Sequence, residues 1–215
     1  MKKLTTIVLS FLFLVLNTAK ADFAVGITGA FHEFDVSGTE TTRTSGQKNT
    51  GSHTGDVVVP ELFIETTSGS GFEIGLAYIP TRDMGSKSRT DSNSAGDSGT
   101  YKAEAELDNV VQVYADIDLA DVAGYPVYAK VGIQHATITT LESLNSGSTY
   151  PDEDVMGYTI GLGTKGDIAM MDNTFYKAEV TYTDFGDYQA DSSAGNSVEA
   201  ELESFALKLS LGYKF

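Results

Sequence analysis

Residues 204–215 read SFALKLSLGYKF. Phe205, Leu207, Leu209, Leu211, Tyr213 and Phe215 share one parity; Ser204, Ala206, Lys208, Ser210, Gly212 and Lys214 share the other. Successive side chains of a strand point to opposite faces, so a strand here has one wholly apolar face and one polar face. A soluble sheet packed on a core shows the same alternation. The surrounding chain must decide where the apolar face points.

Alternation of this kind recurs near residues 23–35, 57–67, 71–81, 101–118, 125–139, 155–165 and 174–185, and again at 200–215. In the third segment Phe72, Ile74, Leu76 and Tyr78 oppose Glu73, Gly75 and Ala77, and in the seventh Tyr176, Ala178, Val180 and Tyr182 oppose Lys177, Glu179, Thr181 and Thr183. The apolar parity carries no Asp, Glu, Lys or Arg, and the opposite parity is filled at many positions by Gly, Ala, Ser and Thr. Small residues make a poor wet exterior for a lipocalin-like soluble barrel, but they suit the crowded lumen of an eight-stranded one. Connections alternate in kind: SGTETTRTSGQKNTGSHTG, RDMGSKSRTDSNSAGDSG, LESLNSGSTYPDED and GDYQADSSAGNSVEA are long and polar, whereas SGSG, ADVAG and DIAMMDN are short. Aromatic residues mark both ends of the apolar faces, with Phe23, Phe72, Tyr176, Tyr213 and Phe215 near the short turns and Phe31, Tyr78, Tyr182 and Phe205 near the long loops. Two aromatic belts around an aliphatic band match the two interfaces of a membrane. The pattern predicts an all-β fold, an eight-stranded antiparallel up-and-down transmembrane β-barrel with short periplasmic turns and long extracellular loops.

The chain has 215 residues, no Cys, no Trp, 22 Gly, and 30 acidic against 14 basic side chains. Its start, MKKLTTIVLSFLFLVLNTAKA, places Lys2 and Lys3 before an apolar run from Ile7 to Leu16 and ends in Ala19-Lys20-Ala21. That is the layout of a cleaved secretory signal peptide over 1–21, leaving one barrel domain over 22–215. Cleavage would remove Lys2, Lys3 and Lys20, giving 11 basic against 30 acidic residues and a formal charge of −19. Such an acid excess excludes nucleic-acid binding by charge attraction and permits attraction of cations. Without cysteines, stability rests on strand pairing and burial.

Two residues fit the pattern badly. Pro60 cannot donate to a ladder and a closed barrel offers no free edge, so a bulge or a late strand start is expected in the second segment. Asn109 shares the apolar parity of the fourth segment, and a bulge there would turn it inward.

With these eight segments and a terminal Phe, the chain resembles the small outer-membrane barrel family, the OmpA-like transmembrane domain and the opacity-protein-like porins, over residues 22–215. FALKLSLGYKF is similar to that family's C-terminal assembly signal, which implies that Leu209, Leu211, Tyr213 and Phe215 are read by the barrel-insertion machinery. YTDFGDY, residues 182–188, resembles the exit from strand to loop before the last hairpin. With the chain stopping at Phe215, the peptidoglycan-binding domain of full OmpA proteins is expected to be absent. The resemblance also implies a monomer in the outer membrane of a Gram-negative cell, surrounded by outer-membrane lipid.

Inward parity collects Glu61, Glu65, Glu73, Glu104, Glu106, Asp108, Asp116 and Glu179 against Lys102, Lys130, Lys165, Lys177, Lys208 and Lys214. Unpaired charges in a narrow lumen are costly, so these should pair across it. One reading is a structural plug of salt bridges, and the other a gated, cation-preferring pore with Lys130 and Lys208 near Glu73 and Glu179 at its centre. The resemblance implies that such interior pairs can act as a gate. The only histidines, His32, His53 and His135, assemble with no nucleophile and orienting partner, so no catalytic residue and no enzyme activity are expected. Asp91, Asp97, Asp152, Asp154, Asp187 and Asp191 show no fixed ligand spacing, so no metal and no cofactor are expected. The loops near 37–55, 83–100, 141–154 and 186–198 have a disorder-like composition and carry the alternative function, a surface adhesin engaging host or surface ligands or small cations. A soluble periplasmic barrel is the third reading.

Overall fold

A computed structural model of the chain describes residues 22–43, 45–67, 71–91, 99–143 and 149–215. The expected signal peptide, residues 1–21, and parts of the expected connections, residue 44 and residues 68–70, 92–98 and 144–148, lie outside the described residues, and the candidate Asp97 with them. The strands are β1 (Asp22–Thr41), β2 (Lys48–Thr67), β3 (Phe72–Ile79), β4 (Arg82–Asp91), β5 (Gly99–Val122), β6 (Tyr125–Ser143), β7 (Glu153–Asp167), β8 (Thr174–Asp191) and β9 (Ser197–Lys214). They form one sheet in the order β3-β2-β1-β9-β8-β7-β6-β5-β4, with an additional β3–β5 pairing. First and last strands close on each other, with Ile27 opposite Leu211. Because β3 and β4 follow one another along β5, they act as one interrupted wall strand, and the ring is an eight-stranded antiparallel barrel.

Exposure decides which way the apolar faces point. On β9, Leu209 is 71% exposed, whereas its neighbours Lys208 and Ser210 are 6% and 5% exposed. Ile160, Leu162, Val131, Ile133, Leu62 and Ile27 are likewise exposed large apolar side chains, distributed around the wall. A continuous belt of this kind is unfavourable in water at about 25 cal/mol per Å², and lipid removes that cost. It excludes a soluble barrel with an apolar lumen at this level.

Toward the long-hairpin end the chemistry of the two faces exchanges. Phe34, Leu107, Ile138, Val155, Phe185 and Leu202 point inward and form a buried core, joined by Val110, Met84 and Tyr188. On the outer face of the same strands Glu33, Asp35, Asp184 and Glu203 are exposed. Apolar inside and polar outside is the pattern of a water-soluble sheet, so the barrel continues past the lipid belt as a self-cored extension. The 20 residues of β1 would span about 66 Å fully extended, well beyond the roughly 30 Å of hydrocarbon.

This extension corrects the expected loops. Instead of irregular segments over 37–55 and 186–198, β1 runs to Thr41, β2 begins at Lys48, β8 runs to Asp191 and β9 begins at Ser197. Likewise β4, Arg82–Asp91, takes up the first part of the expected 83–100 loop, and β6 and β7 enter the expected 141–154 loop. Register pairs such as Ser37 with Ser52 and Thr39 with Thr50 carry the ladder outward, and the two Thr hydroxyls lie 3.1 Å apart. Cross-strand pairing of β-branched Thr outweighs the loop-like composition.

Two local devices reset the parity. Asn109 has φ 53 and the β5–β6 register shifts between Asp108 and Val111. The expected bulge is therefore present, but Asn109 stays exposed. What the bulge turns is the strand beyond it, placing Leu107 inward and Glu104 and Glu106 on the outer face. Pro60 sits opposite Gly29 in an unbroken β2, without the expected bulge or late start. Its compensation lies on the other side: the β2–β3 ladder ends at Leu62 opposite Tyr78, and continuing that register brings Pro60 level with Pro80, where β3 stops. Two prolines thus meet where no ladder hydrogen bond is made.

Candidate functional site

Inside the lipid belt the lumen is layered. Nearest the short turns, Lys165 on β7 lies 3.0 Å from Glu73 on β3 and 2.9 Å from Asp118 on β5. Above them Lys177 on β8 donates to Glu65 Oε2 at 2.8 Å and to Asp116 Oδ2 at 2.5 Å. Lys130 on β6 lies 3.1 Å from the other Asp116 oxygen and 2.9 Å from Glu179. Two tyrosines complete this layer: Tyr114 donates to Glu65 Oε2 at 2.7 Å and Tyr128 to Glu179 Oε1 at 2.8 Å. Lys130 Nζ also sits 3.5 Å from the centre of the Tyr114 ring.

The next layer is built on Glu61. Lys208 donates to both of its oxygens, at 2.9 and 2.8 Å, and His32 Nε2 lies 3.0 Å from Oε1. Arg82, 1% exposed, brings Nη1 within 3.2 Å of both His32 ring nitrogens, while its Nε and Nη2 have no hydrogen-bond partner among the described residues. Above this layer begins the apolar core of the extension.

Of the residues expected to line the lumen, Glu61, Glu65, Glu73, Lys130, Lys165, Lys177, Glu179 and Lys208 are brought together inside it. Glu104 and Glu106 are not: the Asn109 bulge places them outside, where Lys102 pairs with Glu104. Partners also differ in detail, since Lys208 serves Glu61 and Glu73 is held by Lys165. Arg82 escaped the sequence reading because the Pro80-Thr81 interruption shifts parity, so that Ile79 and Arg82 both face inward. Leu209, Leu211, Tyr213 and Phe215 are exposed on the lipid parity of β9.

At this level the packing leaves little free space. The cavity between Glu61, Lys130, Lys177, Glu179 and Lys208 is about 10 Å³, room for roughly one water molecule. Ions removed from water to this extent persist only through shared hydrogen bonds, and loss of one partner costs about 3–5 kcal/mol.

Ser204, His32 and Glu61 form a hydrogen-bonded chain, with Ser204 Oγ 3.3 Å from His32 Nδ1. Its order is that of a nucleophile, base and orienting acid. Ser204 is 4% exposed, however, and Lys208 neutralises Glu61, so the chain has neither substrate access nor a free carboxylate to steady an imidazolium.

No family model matches the chain. It is 26% identical over 146 residues to a 31 kDa outer-membrane immunogenic protein of Brucella melitensis biotype 1, and equally to that of Brucella suis biovar 1. The match covers 66% of this chain and spans 60% of the relative's length. Among solved structures, the outer membrane protein OprG from Pseudomonas aeruginosa aligns with a TM-score of 0.58 at 14% identity, covering 91% of this chain and 96% of that one. The outer membrane protein AlkL in lipid bilayers aligns with a TM-score of 0.55 at 11% identity, covering 91% and 90%. The fold is that of the small outer-membrane β-barrels.

Proposed function

We propose that this chain is an integral outer-membrane barrel that serves the integrity of the envelope and admits at most a limited, cation-preferring leak of small solutes. The observation that carries it is the sharing of Lys130 and Lys177 among Glu65, Asp116 and Glu179 beside a cavity of about 10 Å³. A plug held by paired charges conducts only when pairs part, and the surplus of carboxylates then favours cations. Export through the segment 1–21, insertion through Leu209, Leu211, Tyr213 and Phe215, and a monomeric state with the short turns in the periplasm belong to the same reading. Single-channel recording of refolded residues 22–215 in a planar bilayer tests it. A silent or rarely opening barrel, with openings whose cation preference rises in Lys130→Glu and falls in Glu179→Lys, supports the reading; a wide, steady, anion-preferring conductance contradicts it.

A second reading rests on the extension. Its own core of Phe34, Leu107, Phe185 and Leu202 gives the hairpins a fixed shape outside the membrane, as a surface adhesin needs. The Brucella relative is named an outer-membrane immunogenic protein, which accords with this. Shortening the β1–β2 and β8–β9 hairpins would abolish attachment to cells or surfaces and leave the barrel folded.

A further inference from the structure

Arg82 on β4 is 1% exposed, and its guanidinium is engaged on one side only. Nη1 reaches the His32 ring, and Cζ lies 5.3 Å from the centre of the Phe34 ring. Nε and Nη2 are buried without a hydrogen-bond partner among the described residues. In a guanidinium these two nitrogens share an edge and their N–H bonds run parallel, forming the fork that grips both oxygens of a carboxylate. The neighbouring carboxylates are committed elsewhere. Glu61 gives both oxygens to Lys208. Exposed Asp83 accepts from the Gly85 N–H at 2.6 Å, and Asp108 accepts from the Thr81 and Thr139 hydroxyls. A guanidinium taken out of water without its own counter-charge is costly.

We propose that the Arg82 fork is a binding site for a short monocarboxylate, with the carboxylate on Nε and Nη2 and the apolar end against Phe34, Met84 and Leu107. Charge sets the class. Lys208 and Arg82 against Glu61 leave one positive charge in this layer, which one carboxylate balances and a dianion would exceed. Shape narrows it further, because two parallel N–H bonds match two oxygens whereas a halide offers a single centre. The core sets the length. Phe34, Ile79, Leu107 and Val110 are packed into it, so only a short chain fits, in room yielded by Met84, whose unbranched side chain adapts readily.

The wall beside Arg82 can part at low cost. The β2–β3 ladder ends at Leu62 with Tyr78, and no register pair joins β2 to β4 among the described residues. These two strands meet by close approach instead: a Cβ at Gly55 would fall 2.6 Å from the Met84 carbonyl oxygen, and one at Gly85 would fall 2.3 Å from His53 Nε2. Separating them breaks no ladder and opens a way to Arg82 from the long-hairpin side. Beneath the site lie Glu65, Asp116 and Glu179, which oppose the passage of an anion toward the short turns. Arg82 therefore holds its ligand rather than passing it on, and binding does not require that the lumen conduct.

Sodium butyrate is the probe, on the full chain refolded in detergent micelles. At constant ionic strength set with sodium chloride, the unfolding temperature should rise with butyrate and reach a plateau, while butyramide, the uncharged analogue, should leave it unchanged. Identical curves in butyrate and in chloride alone, or an equal rise in butyramide, would overturn the proposal. This comparison uses the unsubstituted protein and stands even where a variant fails to fold. Titration followed by the nuclear magnetic resonance of an isotope-labelled butyrate carboxyl should show a single saturable site. Arg82→Lys, which keeps the charge and loses the fork, should bind at least about tenfold more weakly. Lys48→Gln, on the exposed surface, should bind as the parent does. Equal binding by Arg82→Lys and the parent, or a signal that changes without saturation, would mean scattered binding to surface cations and refute the site.

Discussion

Tyr128 and Gly163 are register partners on β6 and β7, and a Cβ added at Gly163 would come within 2.4 Å of the Tyr128 ring. Gly75 and Tyr114 repeat the arrangement between β3 and β5, with a Cβ at Gly75 falling 2.1 Å from the ring. In each pair the glycine leaves the space into which the tyrosine lies, and the phenol then reaches a carboxylate. The small residues on the inward parity thus make room for the hydroxyls that hold Glu65 and Glu179.

Gly163→Ala should therefore cost about 1–3 kcal/mol by overpacking, read from urea unfolding in micelles, because the ring must leave Glu179. Combining it with Tyr128→Leu should cost less than the two single changes together, since both act on one contact. Strict additivity would mean that the close approach carries no energy.

Lys177→Met removes the shared partner of Glu65 and Asp116, all three nearly inaccessible. The expected loss is about 3–5 kcal/mol, and Lys177→Met with Asp116→Asn should recover part of it. Retention of the folded gel band on heating, compared across the series, gives the order. A single variant as stable as the parent would show that the lumen is wetter than this packing allows.

Leu209→Arg places a charge on the lipid parity of β9 and should destabilise the inserted barrel by about 2–4 kcal/mol near the bilayer midplane. Glu201→Arg, eight residues earlier on the same parity, should leave stability near that of the parent, because the outer face there is wet. Equal effects would place both sites in one medium.

Asn109 holds a left-handed conformation, φ 53, at the bulge that resets β5. Asn109→Gly should be tolerated and Asn109→Val should cost about 1–2 kcal/mol or more, measured by urea unfolding, because a β-branched side chain clashes there.

The barrel was legible because the lipid belt imposes a long, strict alternation, as in Leu207, Leu209 and Leu211 against Lys208 and Ser210. Most of the lumen network followed from the same parity. The self-cored extension did not, since its inward apolar residues, such as Val36 and Val57, are scattered among Ser, Thr and Gly whose composition reads as loop. Glu104, Glu106 and Arg82 were misread or missed for one physical reason. A single bulge at Asn109 and the two-residue break at Pro80-Thr81 each reverse which parity faces inward, and neither announces its consequence in the residues beyond it.

The central claim is that one strand crosses two media with the same residues inward, its apolar face being the inner one in the extension and the outer one in the lipid belt. The chain has no cysteine, so single cysteines placed along β9 from Glu199 to Tyr213 can be labelled with a membrane-impermeant maleimide in proteoliposomes. Rapid labelling at 199, 201 and 203, with protection at 202 in the extension core and at 207, 209 and 211 in lipid, is the predicted result. Labelling at 209 as fast as at 201 would contradict the account.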